Sequence, residues 1–543
     1  MKQNLKRYIP YIALLCMTAV LLCGCTKRAE QDGPFTEVTG QPGDMIDTEK
    51  AECDEGSRED IEEEREENVT PTSMPTSTPT PIPSFAPQPT ELPTSTPTPV
   101  ITDPYDGRFW TGNYAEDTEL LLTKAQIKEQ NEKNYRAVGT KLTVLSEHTV
   151  YTAGEILGMI EEYSLPSRKY FDNREFVASE KESLLQERNL PELRENTARE
   201  IVPDYGILIS NTDVRSFPTK KRLTSEAQGR FDYLQETRLL IGEPVLVLHR
   251  SKDGAWCFVQ AENYCGWIRE TAIAYCTKEE LRTVADAMAD VENGRIVVVT
   301  KNGNYRIGER EVYLRMGTRL PGCDADLNIV QPGLIEGTAG KANGTVRVKL
   351  PGRDEEARLV WEEASVSSTD ASGEICFVNG YLPYTRANIM QMAVRLLGAP
   401  YAWGDAPSFG ADVADAGDNG MDCSSTVAAV FRCFGFTLAR NTGTQRKMDC
   451  EKQEMSALGI GQRQEMLDSL QGGELLYTSG HVMVYLGKAG GEYYVLHNTS
   501  TESRDDGGKD EFYRCVITTM GLGKTNQTIL ERLIQMNALF PID

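Results

Sequence analysis

A cysteine set between small polar residues at the head of an amphipathic run, Met421-Asp422-Cys423-Ser424-Ser425, constrains this chain more than any other feature. Downstream of it Val427, Val430, Phe431 and Phe434 recur at i, i+3, i+4 and i+7, which predicts a helix that buries one face and begins at Cys423. The N–H groups and positive dipole end of such a helix favour thiolate over thiol and can also hold a developing oxyanion. The chain has four histidines, and two of them follow this cysteine. Gly480 precedes the apolar run His481-Val482-Met483-Val484-Tyr485-Leu486, and Tyr493-Tyr494-Val495-Leu496-His497 comes after a Gly-rich turn at Gly487 to Gly491, so the two runs read as a β-hairpin. Adjacent antiparallel strands would bring both imidazoles to one face.

A thiolate nucleophile needs a proton donor for the leaving group, and that imidazole needs a partner to fix its tautomer. His481 and His497 suit these two roles. A cysteine ahead of apolar helical residues is by itself more often a core residue, so the weight rests on several elements in order. Tyr401-Ala402-Trp403-Gly404, Asp422-Cys423-Ser424-Ser425, Gly473-Glu474-Leu475, Gly480-His481-Val482 and Val495-Leu496-His497 together resemble the NlpC/P60 peptidases of bacterial cell walls. The resemblance implies an α+β, papain-like catalytic domain over residues 380–543. Cys423 would be the nucleophile, His481 the base, His497 its orienting partner, and Tyr401 a hydroxyl at the oxyanion site. An entry helix is expected from Ala387 to Leu397, opened by Thr385 and closed by Gly398 and Pro400. The chain departs from the family pattern in three places. Asp405 stands where a second Gly is usual, an insertion rich in Asp, Gly and Ala separates Asp405 from Met421, and Glu474 replaces Asp.

Ahead of this lie short strands broken by turn residues, such as Pro244 to His249 and Ala255 to Val259. Asn211 to Thr219, Phe231-Asp232-Tyr233-Leu234-Gln235 and Gly266-Trp267-Ile268 resemble the bacterial SH3-like domain that precedes certain NlpC/P60 enzymes. Two small all-β barrels are expected, at 204–290 and 291–370, the second from the alternation in Arg295 to Thr300 and Thr345 to Leu350. Residues 105–203 read as a mostly helical N-terminal domain, with apolar spacing in Leu120 to Ile127 and Ala153 to Tyr163. In relatives the first barrel helps close a pocket for peptides with a free N-terminal L-Ala. Asp422, Ser424 and Tyr233 are the residues expected to line it here, Asp422 serving equally well as a helix N-cap.

The N-terminus speaks to compartment. Lys2, Lys6 and Arg7 precede the apolar run Ile12 to Leu22, which is too short to span a bilayer and resembles a signal peptide over residues 1–24. Leu22-Cys23-Gly24-Cys25 resembles a lipobox, which implies a lipidated Cys25, a membrane anchor and an extracytoplasmic protein facing the cell wall. Residues 25–104 read as a disordered tether. Thr26 to Glu67 holds 16 acidic and 5 basic residues, too charged to collapse onto a core. The Thr/Ser/Pro repeats of Pro71 to Pro99 favour extended chain, about 3.1 Å per residue or on the order of 90 Å in all. The formal net charge of −24 excludes nucleic acid as an expected partner.

Of thirteen cysteines, an odd number remains after the signal, the lipidated and the nucleophilic residues are removed, which speaks against a complete disulfide framework. No metal or other cofactor is expected. The resemblance implies a monomeric, lipid-anchored cysteine endopeptidase acting on peptidoglycan stem peptides, at the bond between γ-D-Glu and a diamino acid. Two rivals share the features: an amidase or acyltransferase on the same fold, and a wall-binding lipoprotein in which the barrels do the work.

Overall fold

The computed structural model describes residues 101–148, 150–323, 344–406 and 420–542. The signal segment, Cys25, nearly all of the tether and most of the insertion after Asp405 lie outside the described residues. The fold is mixed α and β, with β units ahead of a C-terminal α+β unit.

The C-terminal unit is built on a six-stranded antiparallel sheet in the order Glu451–Glu454, Gln535–Ala538, Leu475–Thr478, His481–Ala489, Glu492–Ser503, Lys509–Thr519. The helix Cys423–Arg432 packs against the fourth and fifth strands of this order, which carry the histidines. It begins where the spacing predicts, and its apolar face, Val427, Val430 and Phe431, is buried with Val482, Val484 and Leu496. The entry helix spans Arg386–Val394, capped by Thr385, whose side chain accepts from the Asn388 N–H. It stops before Gly398, whose φ of +81° ends the turn in the left-handed region.

Residues 204–276 form a seven-stranded antiparallel sheet in the order Ile273–Cys276, Asp204–Leu208, Pro244–Arg250, Trp256–Gln260, Cys265–Arg269, Thr212–Arg215, Gln235–Leu239. Pro244–Arg250 shows no polar alternation because both faces are covered. Val245 and Val247 enter the inner core with Val259 and Ile268, while Leu246 and Leu248 pack under Ile156, Ile160 and Leu190. A second β unit holds a three-stranded sheet, Arg319–Pro321, Ile296–Val299 and Phe377–Asn379, and the hairpins Gly303–Ile307/Arg310–Leu314 and Thr345–Arg353/Leu359–Ser367. Val346, Val348 and Leu350 point inward and Thr345 and Arg347 outward, the two-residue period seen in the sequence.

The segment before residue 204 differs from its expectation. It has helices at Gly107–Asn113, Lys124–Val138, Ala153–Glu161, Ala178–Gln186 and Pro191–Glu195, but its buried side chains join the cores of other units. Trp110 and Ile127 belong to the core of the C-terminal unit, and Ile156 and Ile160 to the outer face of the first β unit. Phe171 and Leu184 pack with Phe217 and Leu234. Leu120 to Leu122 precedes the helix rather than starting it. Leu122 forms a β-bridge to Tyr384, and Thr123 with Gln126 makes the capping box that opens Lys124–Val138.

Candidate active site

Cys423 is the first residue of its helix, and the cap before it is Asp422, whose Oδ1 accepts the Ser425 N–H at 2.9 Å. The Cys423 Sγ lies 3.6 Å from Thr442 Oγ1 and near the Val482 N–H, which follows His481. His481 is placed by a two-residue turn. Thr478 pairs with His481 across Ser479–Gly480, and Gly480 takes φ +77° there. The next hairpin pairs Val484 with Leu496, a register that carried one step further sets His497 opposite Met483, on the face His481 shares. His481 Nε2 and His497 Nδ1 are 2.8 Å apart, and His497 Nε2 lies 3.0 Å from Thr518 Oγ1. With Nε2 engaged, Nδ1 is the nitrogen of His481 left to exchange a proton with a thiol.

The electrostatics differ from the thiolate expected of a helix start. Burial, and after it the Asp422 carboxylate, pushes the Cys423 thiol up to about 11, against the contributions of Thr442, the Val482 N–H and Arg440. Burial and the charge of Arg532 take His481 down to about 4, and burial, His481 and Arg532 hold His497 well below the usual imidazole range. The resting pair is therefore neutral thiol and neutral imidazole.

The expected pocket residues divide. Tyr401 is half-buried close to Cys423 and Asp422, and desolvation of its hydroxyl together with those neighbours keeps it protonated. Asp422 is not a vacant carboxylate. Arg440 closes on it at 2.6 and 3.1 Å, and Ser424 donates to it at 3.0 Å while accepting from Arg440 at 2.9 Å. Both residues are thus spent within the protein. Tyr233 faces elsewhere, its ring 3.9 Å beneath the Arg168 guanidinium and its hydroxyl 3.2 Å from Ser225 Oγ. Its neighbour Phe231 is the aromatic that meets Tyr401.

Several residues went unnoticed in the sequence. Thr442 and Thr518 sit in no motif. Arg440 lies in a loop with no periodicity. The first β unit contributes Glu236, whose Oε2 accepts the Tyr264 hydroxyl at 2.6 Å. Burial lifts this carboxyl to about 7 against Tyr264, Ser216, Arg215 and Arg440, and among the described residues no guanidinium closes on it at ion-pair distance. On either side of it, Gln235 donates to the Gly404 carbonyl at 3.0 Å and Thr237 accepts from Arg440 at 2.5 Å, which docks this strand on the peptidase unit.

Comparison with known proteins agrees with this arrangement. Residues 221–269 match the SH3 domain of SH3b1 type, and residues 398–508 match the NlpC/P60 family. The γ-D-glutamyl-L-lysine dipeptidyl-peptidase of Bacillus subtilis (strain 168) is 25% identical over 287 residues, which are 50% of this chain and 74% of that protein. The solved structure of an NlpC/P60 endopeptidase from Photobacterium damselae subsp. piscicida superposes with a TM-score of 0.58 at 17% identity, covering 81% of this chain and 98% of that one, a likeness of fold. With Cys423 at a helix head beside paired histidines, residues 398–508 form a domain of the NlpC/P60 cysteine-peptidase type, preceded by an SH3b domain over residues 221–269.

Proposed function

We propose that this hydrolase cuts peptidoglycan stem peptides at the bond between γ-D-Glu and a diamino acid, from substrates with a free N-terminal L-Ala, as a lipid-anchored protein outside the cytoplasmic membrane. The observation that carries the reading is the 2.8 Å pairing of His481 with His497 beside Cys423. The family match and the substrate in the name of the B. subtilis relative support the substrate class.

In this mechanism Cys423 Sγ bonds to the scissile carbonyl carbon as its proton passes to His481 Nδ1. His481 Nε2–H donates to His497 Nδ1, and His497 Nε2–H to Thr518, so the imidazolium that forms meets an acceptor already in place. The oxyanion falls to the N–H groups of Cys423 and Ser424 and the Tyr401 hydroxyl, since the Ser425 N–H is taken by Asp422. His481 returns the proton to the leaving amine as the C–N bond breaks. It then takes a proton from the water that attacks the thioester, and the thiol is regenerated.

Selection for a free amine needs a carboxylate that lacks a cation, and that description fits Glu236 with Tyr264 rather than Asp422. An acylated N-terminus would leave Glu236 with the Tyr264 hydroxyl but no cation, so discrimination of several powers of ten is expected. The test is digestion of L-Ala-γ-D-Glu-diamino-acid peptides, free and muramic-acid-capped, read by mass spectrometry. Cys423→Ala should abolish cleavage while keeping the fold. Glu236→Gln should cost activity on the free peptide far more than on the capped one. Asp422→Asn should harm both alike. Turnover by Cys423→Ala, or equal cleavage of free and capped peptides by the parent, would refute the reading.

A further inference from the structure

The second β unit reaches the nucleophile through one buried side chain. Arg315 follows the strand Arg310–Leu314 and donates to the Gly420 carbonyl at 2.6 Å, with its guanidinium also 3.4 Å from Asp405 Oδ2. Asp405 turns in the left-handed region at φ +58°, a conformation that Asp tolerates better than most residues. Its Oδ1 accepts the Asp422 N–H at 3.1 Å and the Ser425 hydroxyl at 2.5 Å. These are the residues on either side of Cys423 and Ser424. Arg440 spans both acids, 3.4 Å from Asp405 and 2.6 Å from Asp422. Two carboxylates and two guanidiniums thus balance, each more than nine-tenths buried.

We infer that Arg315 is a positioning residue for Cys423: by holding Asp405 against the head of the Cys423–Arg432 helix, it makes the second β unit part of the catalytic apparatus. Two further contacts fix the docking. Asn302 accepts the Met316 N–H at 2.7 Å and lies 3.8 Å from Met421 Sδ. Gly317, at φ +83°, packs tightly there, since a Cβ would come within 3.1 Å of the Ala429 carbonyl and Arg432.

The groups facing the thiol are Asp422, Arg440, Thr442, Tyr401, Tyr477 and the Val482 N–H. Without Arg315, Asp405 and Asp422 share Arg440 alone, and a net negative charge is left beside a thiol that Asp422 already disfavours ionising. Neutralising Asp405 as well restores the balance. The double substitution should therefore repair the single one, which simple loss of packing would not do.

The experiment is alkylation of Cys423 by iodoacetamide in the full chain across a pH series, followed by peptide mass spectrometry, beside kcat and KM on a cleaved peptide. Arg315→Met should slow alkylation about tenfold at fixed pH, the equivalent of about one pKa unit, and lower kcat with KM little changed. Arg315→Lys, which keeps the charge, should recover much of the loss, and Arg315→Met with Asp405→Asn should return alkylation toward the parent. Asp405→Asn alone should speed it, which keeps the test decisive if Arg315→Met fails to fold. Alkylation by Arg315→Met at the parent rate, a double variant no faster than the single, or Asp405→Asn no faster than the parent overturns the inference. The kinetic arm rests on the peptidase reading, whose failure would show as no turnover by the parent; alkylation is independent of it.

Discussion

Cys423 shows which of two opposed effects wins at the residue scale. A helix N-terminus stabilises a nearby negative charge by about 0.3–1 kcal/mol, less than one pKa unit, whereas full burial moves a titratable group by up to about 3–5 units. Burial therefore dominates, with Asp422 adding to it, and the thiol rests protonated. The helix start serves attack and oxyanion binding rather than a standing thiolate, and His481 must remove the proton as the sulfur attacks. Alkylation of Cys423 by iodoacetamide should accordingly rise without a plateau from about pH 6 to about pH 10, since rate follows thiolate fraction. A flat rate from about pH 5 to about pH 8 would instead reveal a stable thiolate–imidazolium pair.

At the scale of elements, the short helix Ile529–Arg532 tunes the base. Arg532 pairs with Glu502 at 2.8 Å, and its charge adds to burial in depressing both imidazoles. Because His481 must be neutral to accept the thiol proton, kcat/KM should hold on the acid side until pH approaches about 4. Arg532→Gln removes a positive charge and leaves Glu502 without its cation, and both changes favour the imidazolium. Its acid limb should thus move to higher pH, and a kcat/KM–pH profile with the limb unmoved or shifted lower would count against this account. The hairpin bearing His481 and His497 was legible in the sequence because two continuous apolar runs on either side of a Gly-rich turn specify it locally. The helix starting at Cys423 was legible for the same reason, through its 3.6-residue spacing. Arg315, Asp405 and Arg440 were not, since their contacts join loops far apart in the chain and no periodicity marks them. Glu236 escaped notice because a lone acid in an alternating strand looks like a solvated face until Tyr264 is folded over it. Leu120 to Ile127 misled because apolar spacing alone does not show where a helix is capped, and Thr123 places the start after the first three of those residues.

On the scale of the whole molecule, the segment before residue 204 acts as a strap whose apolar side chains complete cores owned by other units. Asn131 sits in the seam between it and the peptidase unit, donating to the Gly435 carbonyl at 2.8 Å and accepting the Thr437 N–H at 3.0 Å. Tyr135 reaches Glu262 of the first β unit at 2.8 Å, and Glu262 pairs with Arg319 of the second at 2.8 Å. The apolar anchor is Trp110, which is 2% exposed, meets Phe109 and Tyr494 edge-on or tilted, and donates through Nε1 to the Pro104 carbonyl at 2.8 Å. Gly487 makes room for it at the bulge in the His481 strand, where a Cβ would come within 3.0 Å of the indole. Six residues of strand separate Gly487 from His481, about 20 Å at about 3.3 Å per residue, so the indole acts on the far end of the sheet from the proposed chemistry. Trp110→Ala should destabilise the peptidase unit by about 3–5 kcal/mol, the range for a large aromatic lost from a packed core, and lower the urea midpoint of its unfolding. The KM and kcat of the folded fraction should stay close to those of the parent. A variant with an unchanged midpoint would show that the strap is an appendage, and a variant with normal stability but lost turnover would place Trp110 in the path of the substrate.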